Sequence, residues 1–259
     1  MGVALVTGAS SGIGRSLARR IAAHGDAVAV LARRAELLDE LVGEIERAGG
    51  HALALACDVT DRAGVLEAVR AAESRLGPID CLVANAGGGE ATFAESFSAQ
   101  QVEDVLALNV GGVANCIEAV LPGMLERGSG QLVAVSSLAG YRGVPTGAAY
   151  SAAKAALTNL MESLRIDLRG RGVDVTLIAP GFVRTKPGAK KKRSKPFSLD
   201  LEVATARMHR AILTREPYLA FPRPVAWAAA LGRALPAALY DRLLAARGRK
   251  RVEKPHTSA

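Results

Sequence analysis

The sequence predicts an α/β fold: a doubly wound parallel sheet covered by helices, in a single domain with a helical C-terminal extension. Short β-rich runs alternate with longer helical patterns over the first 180 residues, and this alternation predicts repeated βα units. Most of the β-rich runs are almost continuously apolar, as expected for strands that are buried on both faces. Hydrophobic residues make up 49% of the chain and aromatic residues only 4%, so the core is expected to consist of Ala, Val, Leu and Ile.

Six strands and five crossover helices follow from the pattern. The strand predictions are Val3–Thr7, Ala27–Leu31, Ala52–Cys57, Ile79–Ala84, Leu132–Ser136 and Val173–Ile178. The helix predictions lie near residues 12–24, 35–48, 61–76, 99–127 and 147–170. Right-handed crossovers would join these units into one sheet, and ligands of such sheets bind outside the carboxyl ends of the strands. We therefore expect the functional residues at that edge.

The C-terminal part of the chain departs from this regular alternation. A stretch at 185–196 that contains Pro, Gly and Ser surrounds the basic run 190–193 and predicts a mobile loop. Beyond it we predict a helix at Ala204–Arg215, a strand at Tyr218–Phe221 ended by Pro222, helices at Pro224–Leu235 and Pro236–Arg247, and fraying past Gly248. These assignments divide the chain into a main domain, residues 1–222, and a basic amphipathic helical extension, residues 223–259.

The net charge of +8 is unevenly distributed along the chain. Residues 1–183 carry 15 Lys and Arg against 20 Asp and Glu, whereas residues 184–259 carry 18 against 5. Three interpretations of the basic extension stay open: a solvated helix pair packed on the domain, an interfacial anchor for anionic lipid, or a docking site for an acidic partner such as an acyl carrier protein. Nucleic-acid binding is not expected, because no recognition fold accompanies the basic residues.

Cysteine and histidine usage indicates a reducing compartment and no metal site. The three cysteines lie in apolar runs without metal-ligand spacing, and the four histidines are scattered along the chain. The N-terminus enters an apolar strand at once, so no signal peptide is expected. No uncharged apolar run approaches the ~20 residues of a spanning helix. We therefore expect a soluble protein that is cytoplasmic or peripheral to a membrane.

A glycine-rich segment directly follows the first predicted strand and opens the first helix. Its spacing is Gly-x3-Gly-x-Gly, and its candidate binding residues are Gly8, Ser10, Ser11, Gly12, Ile13 and Gly14. Glycines permit a tight turn and close backbone approach, and the helix N-terminus offers free N–H groups to a pyrophosphate. The alternative is a glycine-rich turn that binds nothing.

The second strand ends at a position that selects between dinucleotides. Folds that prefer NAD place a carboxylate there for the ribose 2′-OH, but this chain has Ala32 followed by Arg33 and Arg34. A guanidinium pairs instead with a 2′-phosphate, so the sequence favours NADP(H) over NAD(H). The alternative is that both arginines are solvated residues at a helix start.

Two further strand ends suit a dinucleotide. Asp58 and Val59 follow the third strand, where a carboxylate can accept a hydrogen bond from the adenine amino group. Asp58 equally suits a cap of the helix that starts near Asp61. The small residues of Asn85-Ala86-Gly87 follow the fourth strand and allow the backbone to approach the sugar.

The candidate catalytic residues are Ser137, Tyr150, Lys154 and Asn109. Tyr150 and Lys154 lie four residues apart, on one face of a predicted helix. An ammonium near the phenol is expected to lower its pKa from about 10, which suits a general acid or base. The Ser137 hydroxyl can hold the substrate oxygen. Asn109 either supports a proton relay to Lys154 through water or bonds a local backbone bend.

Together these pieces resemble the short-chain dehydrogenase/reductase family, in order and spacing, over residues 3–185. The resemblance implies a Rossmann fold, a Ser–Tyr–Lys–Asn catalytic set and hydride transfer with a nicotinamide cofactor. It also implies cofactor contacts from Tyr150 and Lys154 themselves and from Pro180, Gly181, Val183 and Thr185. It implies a homodimer through the fourth and fifth helices. A further tetramer contact is less expected, because the Gly-Gly that usually follows the last strand is missing.

The function expected from these residues is NADP(H)-dependent hydride transfer between the nicotinamide and a carbonyl or secondary alcohol. The substrate is expected to be apolar or lipid-like, with a substrate loop at about 183–215 and candidate contacts at Leu138, Tyr141 and Phe182. The alternative is an NADP(H)-binding sensor or interaction protein that keeps the fold and acts through its basic tail.

Overall fold

The computed structural model describes residues 2–185 and 197–252, and it contains the predicted parallel sheet. Seven strands pair in the order β3-β2-β1-β4-β5-β6-β9, and every pairing is parallel. The strands are β1 (Val3–Thr7), β2 (Ala27–Ala32), β3 (Ala52–Ala56), β4 (Cys81–Ala84), β5 (Gly130–Val135), β6 (Val173–Pro180) and β9 (Tyr218–Phe221). The predicted fold class is confirmed, and the strand predicted before Pro222 completes the sheet beside β6.

Helices cover both faces of the sheet, because the strand side chains alternate between two apolar layers. Leu5 of β1 belongs to the layer beneath α3, α5 and α6, whereas Val6 belongs to the layer beneath α1, α2 and α7. The helices are α1 (Gly12–His24), α2 (Ala35–Arg47), α3 (Arg62–Leu76), α4 (Ala99–Leu106), α5 (Gly112–Arg127), α6 (Ala148–Asp167), α7 (Leu201–Leu213), α8 (Arg223–Ala234) and α9 (Ala237–Val252).

The strand order reverses between β1 and β4, and this reversal opens a crevice at their carboxyl ends. The chain runs outward from β1 through β2 to β3, then returns to β4 on the opposite side of β1. Loops that leave β1 and β4 therefore turn in opposite directions, which is where doubly wound sheets bind ligands. The glycine-rich segment and Asn85-Ala86-Gly87 both lie at this crevice.

The long helix predicted at 99–127 is not uniform. A π-helical turn, Ala107–Gly111, separates α4 from α5, and the N–H of Gly112 bonds the carbonyl of Ala107 five residues back. A β-carbon on Gly112 would lie 2.6 Å from Cγ2 of Val59. The glycine therefore lets α5 approach the loop after β3.

The combined stretch Ala99–Arg127 is also the one helix, among the described residues, that is long and apolar enough to cross a membrane. The sequence analysis had identified no such stretch. Its inner side chains, such as Cys116, Val120 and Met124, are buried in the apolar layer against the sheet. This burial is what a core helix of a covered sheet requires.

The C-terminal part differs from prediction in its details. The basic run 190–193 and most of its predicted loop lie outside the described residues. On either side of them, β7 (Val183–Arg184) pairs with β8 (Leu199–Asp200), and α7 occupies much of the region expected to be a substrate loop. The last helix does not end at Gly248, as expected from the glycine, but continues to Val252.

We predict that Gly112→Ala destabilises the protein and that the neighbouring Gly111→Ala does not. The added methyl at residue 112 must displace buried Val59, which costs about 1–3 kcal/mol of unfolding free energy. No atom lies within 4 Å of a β-carbon at Gly111, so alanine there should be neutral or stabilise by up to about 1 kcal/mol. Chemical denaturation of both variants measures the difference. Equal stabilities would contradict the close packing of α5 on Val59.

Candidate active site

The glycine-rich segment forms a turn that only glycine permits. Gly8 and Gly12 have φ angles of +66° and +55°, a left-handed region that side chains disfavour. A β-carbon on Gly14 would lie 2.4 Å from the carbonyl oxygen of Gly8. The helix α1 begins at Gly12 with no side-chain cap and no acidic residue in its first turn. Its N-terminal N–H groups are therefore suited to an anionic ligand.

Thr7 joins this turn to the loop after β4. Its hydroxyl oxygen accepts hydrogen bonds from the backbone N–H groups of Asn85, at 3.0 Å, and Ala86, at 2.9 Å. The Asn85 amide donates to the carbonyl of Thr7 at 3.0 Å. A β-carbon on Gly8 would lie 2.9 Å from Cα of Ala86. Two predicted cofactor segments are thus held together at the crevice, and the sequence analysis missed Thr7 as their link.

The two arginines after β2 occupy different places. Arg34 points at the glycine-rich turn, where its Nη2 donates to Oγ of Ser10 at 2.8 Å and of Ser11 at 3.2 Å. Arg33 is 76% exposed and lies 3.6 Å from the carboxylate of Asp58. Both guanidinium groups are therefore at the edge of the crevice, and Arg34 is the one in contact with the turn.

Asp58 is not the helix cap that the sequence left open. The N-cap of α3 is Asp61, whose carboxylate accepts from the N–H of Gly64 at 3.1 Å. Asp58 accepts from the backbone and hydroxyl of Thr60, at 3.0 and 2.8 Å. These bonds and nearby Arg33 hold the pKa of Asp58 below its usual range although partial burial opposes them. Asp58 is therefore an oriented carboxylate, and Val59 beside it is buried.

Asn109 is fully buried. Its side chain bonds a local backbone bend, which is the simpler of the two roles predicted for it. Its Oδ1 accepts from the N–H of Gly88 at 3.1 Å, and its Nδ2 donates to the carbonyls of Gly88 and Val105 at 2.6 and 2.8 Å. The Val105 bond lies within the helix that widens at residues 107–111. A relay from Asn109 to Lys154 stays a prediction.

Gly87 is the point where Asn109 and Lys154 converge. A β-carbon there would lie 2.6 Å from Oδ1 of Asn109 and 3.1 Å from Nζ of Lys154. The glycine therefore allows the loop after β4 to pass between an amide and an amine. This contact joins the predicted cofactor segment to the predicted catalytic residues.

Lys154 is anchored at the carboxyl end of β5. The side chain is buried, and its Nζ donates to the carbonyl of Val135 at 2.9 Å. The hydroxyls of Ser136 and Thr158 both donate to the Lys154 carbonyl, at 3.0 and 2.9 Å. Burial lowers the pKa of the Lys154 amine to about 8. Ser136 and Thr158 were not predicted; their hydroxyls also bond each other at 3.0 Å and so fix this helix to the strand end.

Tyr150 and Ser137 are brought together as predicted, but the expected pKa shift of the phenol is wrong in direction. The Ser137 hydroxyl lies close enough to the Tyr150 phenol to affect its pKa, and Nζ of Lys154 lies 5.7 Å from the centre of the Tyr150 ring. Burial raises the pKa of the Tyr150 phenol above its ordinary value, and the neighbouring Ser137 hydroxyl only partly opposes this. The Tyr150 side chain is partly buried, with a β-carbon on Gly89 expected 3.4 Å from its ring. Desolvation by this packing outweighs the influence of the amine.

The segment after β6 returns to the glycine-rich turn. Pro180 ends β6, and the N–H of Gly181 donates to the carbonyl of Phe221 at 2.7 Å. Val183 lies in β7, and Cγ2 of Thr185 would be 3.3 Å from a β-carbon on Gly12. The predicted cofactor residues on this segment therefore border the same crevice as α1.

The three predicted substrate residues lie in two different environments. Leu138 and Tyr141 pack with Ala226 of α8 in a small apolar cluster, and the Tyr141 hydroxyl accepts from Tyr218 at 2.8 Å. Phe182 is 51% exposed beside β7. Leu138 and Tyr141 thus support the loop that carries Ser137, and only Phe182 presents a large exposed ring.

An apolar cavity beside the start of α6 was not predicted. Its volume is about 310 Å³, and it ends at Ala148, two residues before Tyr150 on α6. No sequence signal marked it, because its residues come from two separate loops. Its lining includes Thr92, Phe93, Phe97, Val144, Pro145 and Thr146.

Arg142 connects the loop after Ser137 to the C-terminal helices, and this contact was also missed. Its Nη1 donates to the carbonyls of Gly232 and Leu235 at 2.6 and 2.8 Å. Its guanidinium lies 3.9 Å from the ring centre of Tyr240, whose hydroxyl donates to the carbonyl of Gly143 at 2.8 Å. The extension is therefore attached to the loop between Ser137 and Tyr150. We call these contacts the Arg142 latch.

Comparisons with known proteins agree with this geometry. The family model described as short chain dehydrogenase matches residues 2–196. An uncharacterized oxidoreductase of Myxococcus xanthus is 43% identical over 238 residues, which cover 92% of this chain and 94% of that protein. A short-chain dehydrogenase from Streptomyces avermitilis has a crystal structure that is similar with a TM-score of 0.80 and 32% identity, covering 99% of this chain and 98% of that one. An alcohol dehydrogenase from the archaeon Thermococcus sibiricus, solved with 5-hydroxy-NADP, has a TM-score of 0.77 and 27% identity over 85% of this chain and 96% of that one.

We predict that stability depends on pH through Lys154. Since folding lowers its pKa from 10.5 to about 8, the unfolded chain binds more protons between these values, and the free energy of unfolding rises with pH there. Relative to Lys154→Met, the wild type should gain on the order of 2 kcal/mol between pH 8 and 10. Denaturation at several pH values measures the gain. A difference that stays flat would contradict the burial of an uncompensated amine.

Proposed function

The chain belongs to the short-chain dehydrogenase family of oxidoreductases, which act on CH–OH and C=O groups with a nicotinamide cofactor, and we propose that Tyr150 is the acid/base of an NADP(H)-dependent member. The observation that carries this proposal is the close approach of Ser137 and Tyr150 beside the buried amine of Lys154. These groups stand at the same sheet edge as the glycine-rich turn.

The residues at the crevice fit a dinucleotide. A pyrophosphate would lie at the start of α1, whose N–H groups are uncapped. Gly8 and Gly14 allow close backbone approach there, and Thr185 borders Gly12 from the segment after β6. When bound, the nicotinamide supplies or accepts the hydride. Lys154 would orient the cofactor ribose through its amine, which is held at the Val135 carbonyl.

Ser137 and Tyr150 would handle the substrate oxygen. The Ser137 hydroxyl would donate a hydrogen bond to this oxygen and stabilise the charge that develops there in reduction. The Tyr150 hydroxyl would then give its proton to the same oxygen. In oxidation the phenolate would take the proton of the alcohol instead.

We propose that Tyr150 acts as a general acid near neutral pH. Because burial raises the pKa of Tyr150, the phenol is protonated in that range, which is the form that a general acid needs. Oxidation requires the phenolate, whose formation burial opposes.

We propose NADP(H) rather than NAD(H) because of charge at the end of β2. Ala32 leaves no carboxylate there for a ribose 2′-OH. Arg34 already contacts the hydroxyls of Ser10 and Ser11, and Arg33 lies beside it with an exposed guanidinium. Two guanidinium groups at this edge suit a 2′-phosphate.

The substrate class we propose is an apolar or lipid-like carbonyl compound. A cavity at the start of α6 is walled by Phe93, Phe97 and Val144, and Phe182 adds an exposed ring near β7. Such a lining favours an apolar chain or ring attached to the reacting carbonyl. We also propose a homodimer through the helices predicted near residues 99–127 and 147–170, which are α4 with α5, and α6, in the structure.

Tyr150→Phe is expected to abolish carbonyl reduction while leaving NADPH binding unchanged. The variant removes only the proton donor and keeps the ring that fills the enclosed site. NADPH oxidation by a panel of ketosteroids, β-ketoacyl thioesters, quinones and aldehydes measures the first effect, and NADPH fluorescence titration the second. A variant with wild-type turnover would refute the role of Tyr150, and a wild type that reduces none of these carbonyls would favour the sensor alternative.

Arg34→Ala and Arg33→Ala are both expected to raise KM for NADPH much more than KM for NADH. Loss of one charge-assisted contact to the 2′-phosphate corresponds to roughly tenfold or more. Arg70→Ala, an exposed arginine on α3, is the matched control and should change neither. Steady-state kinetics with both cofactors gives the ratio. Equal effects on NADPH and NADH would rule out a 2′-phosphate contact.

A further inference from the structure

The helices α8 and α9 each expose two large apolar side chains. On α8, Trp227 and Leu231 are 70% and 67% exposed, and on α9, Leu239 and Leu243 are 46% and 58% exposed. Each pair is separated by four residues and so shares one face of its helix. We call these four side chains the outer apolar stripe. Single exposed apolar residues are ordinary, but a set concentrated on one helix pair indicates an interaction surface.

The same helices carry a strong positive charge. Their sequences contain seven Arg and Lys residues against a single acidic residue, Asp241. Arg223, Arg233 and Arg242 are exposed together with the stripe. Apolar side chains among basic ones are the pattern of a helix that lies in the interface of an anionic bilayer.

We propose that the outer apolar stripe docks on an anionic lipid surface. Tryptophan suits this position because its ring is apolar and its indole N–H remains hydrated at the interface. A second copy of the chain is a poorer occupant, since two stripes in contact would bring two strongly basic helix pairs together. An acidic partner protein would satisfy the charge but would need an apolar face of its own to cover Trp227 and Leu231.

Docking there would bring the lipid surface close to the loop between Ser137 and Tyr150. The inner face of α8 packs through Ala226 on Leu138, the residue next to Ser137. The Arg142 latch holds the end of α8 and Tyr240 of α9 to the same loop. The docked helices are thus the layer directly over the loop between Ser137 and Tyr150. The docking itself does not depend on the proposed reaction.

The chain provides its own probe, because Trp227 is its single tryptophan. Full-length protein is mixed with vesicles of phosphatidylglycerol and phosphatidylcholine, or of phosphatidylcholine alone, and both emission and co-sedimentation are recorded. With the anionic vesicles we expect emission at shorter wavelength and pelleting, both weakened by added salt. The variant Leu231→Ala/Leu243→Ala keeps the probe and should partition at least about tenfold more weakly.

Leu213→Ala is the matched control, since Leu213 is an exposed leucine, at 48%, on α7. It should bind vesicles like the wild type. Thermal unfolding of each variant confirms folding, and NADPH oxidation in the same samples separates failure of docking from failure of the proposed reaction.

Three results would overturn the proposal. In the first, folded protein neither pellets with anionic vesicles nor changes its emission. In the second, vesicle binding is unaffected by Leu231→Ala/Leu243→Ala, so that charge alone accounts for it. In the third, the double variant abolishes self-association of the lipid-free protein and leaves vesicle binding intact, which would make the stripe an interface between copies.

Discussion

The burial of the Lys154 amine at the carboxyl end of β5 is the constraint on which the site depends. An ammonium in this position loses most of its hydration, and its pKa falls to about 8. The Val135 carbonyl accepts from the amine, and Ser136 and Thr158 bond the Lys154 carbonyl, so the helix is tied to the strand at one residue. Tyr150 lies one turn before Lys154 on α6, and this attachment therefore places its phenol beside Ser137.

Glycines bring the surrounding loops close to that attachment. A β-carbon on Gly140 would lie 2.8 Å from the carbonyl carbon of Lys154, and one on Gly87 would lie 3.1 Å from its Nζ. Both loops therefore pack on Lys154 with almost no intervening space. This close packing buries the amine, and burial lowers the pKa of the amine and raises that of the partly buried phenol. The site is held by backbone contacts more than by charge pairs.

The sequence was sufficient for those parts of the protein that depend on local pattern. The strands, the glycine-rich turn and the Tyr150–Lys154 spacing are all set by residues close together in the chain. It was insufficient where distant segments meet. The direction of the Tyr150 pKa shift depends on how closely loops from β4 and β5 enclose the phenol. Arg142 and Tyr240 lie almost one hundred residues apart, and the sequence left open whether Asp58 caps the helix after β3 until the partners of Asp58 were known.

The most direct test of the account is the pH dependence of kcat/KM in both directions, for the wild type and for Lys154→Arg. The account predicts that alcohol oxidation rises with pH as the phenol ionises and that carbonyl reduction falls over the same range. Both pH profiles should shift in Lys154→Arg, because a guanidinium stays charged where the buried amine loses its proton. Rates that are independent of pH in both directions would contradict Tyr150 as the proton donor. Identical pH profiles in the two proteins would contradict Lys154 as the group that supports it.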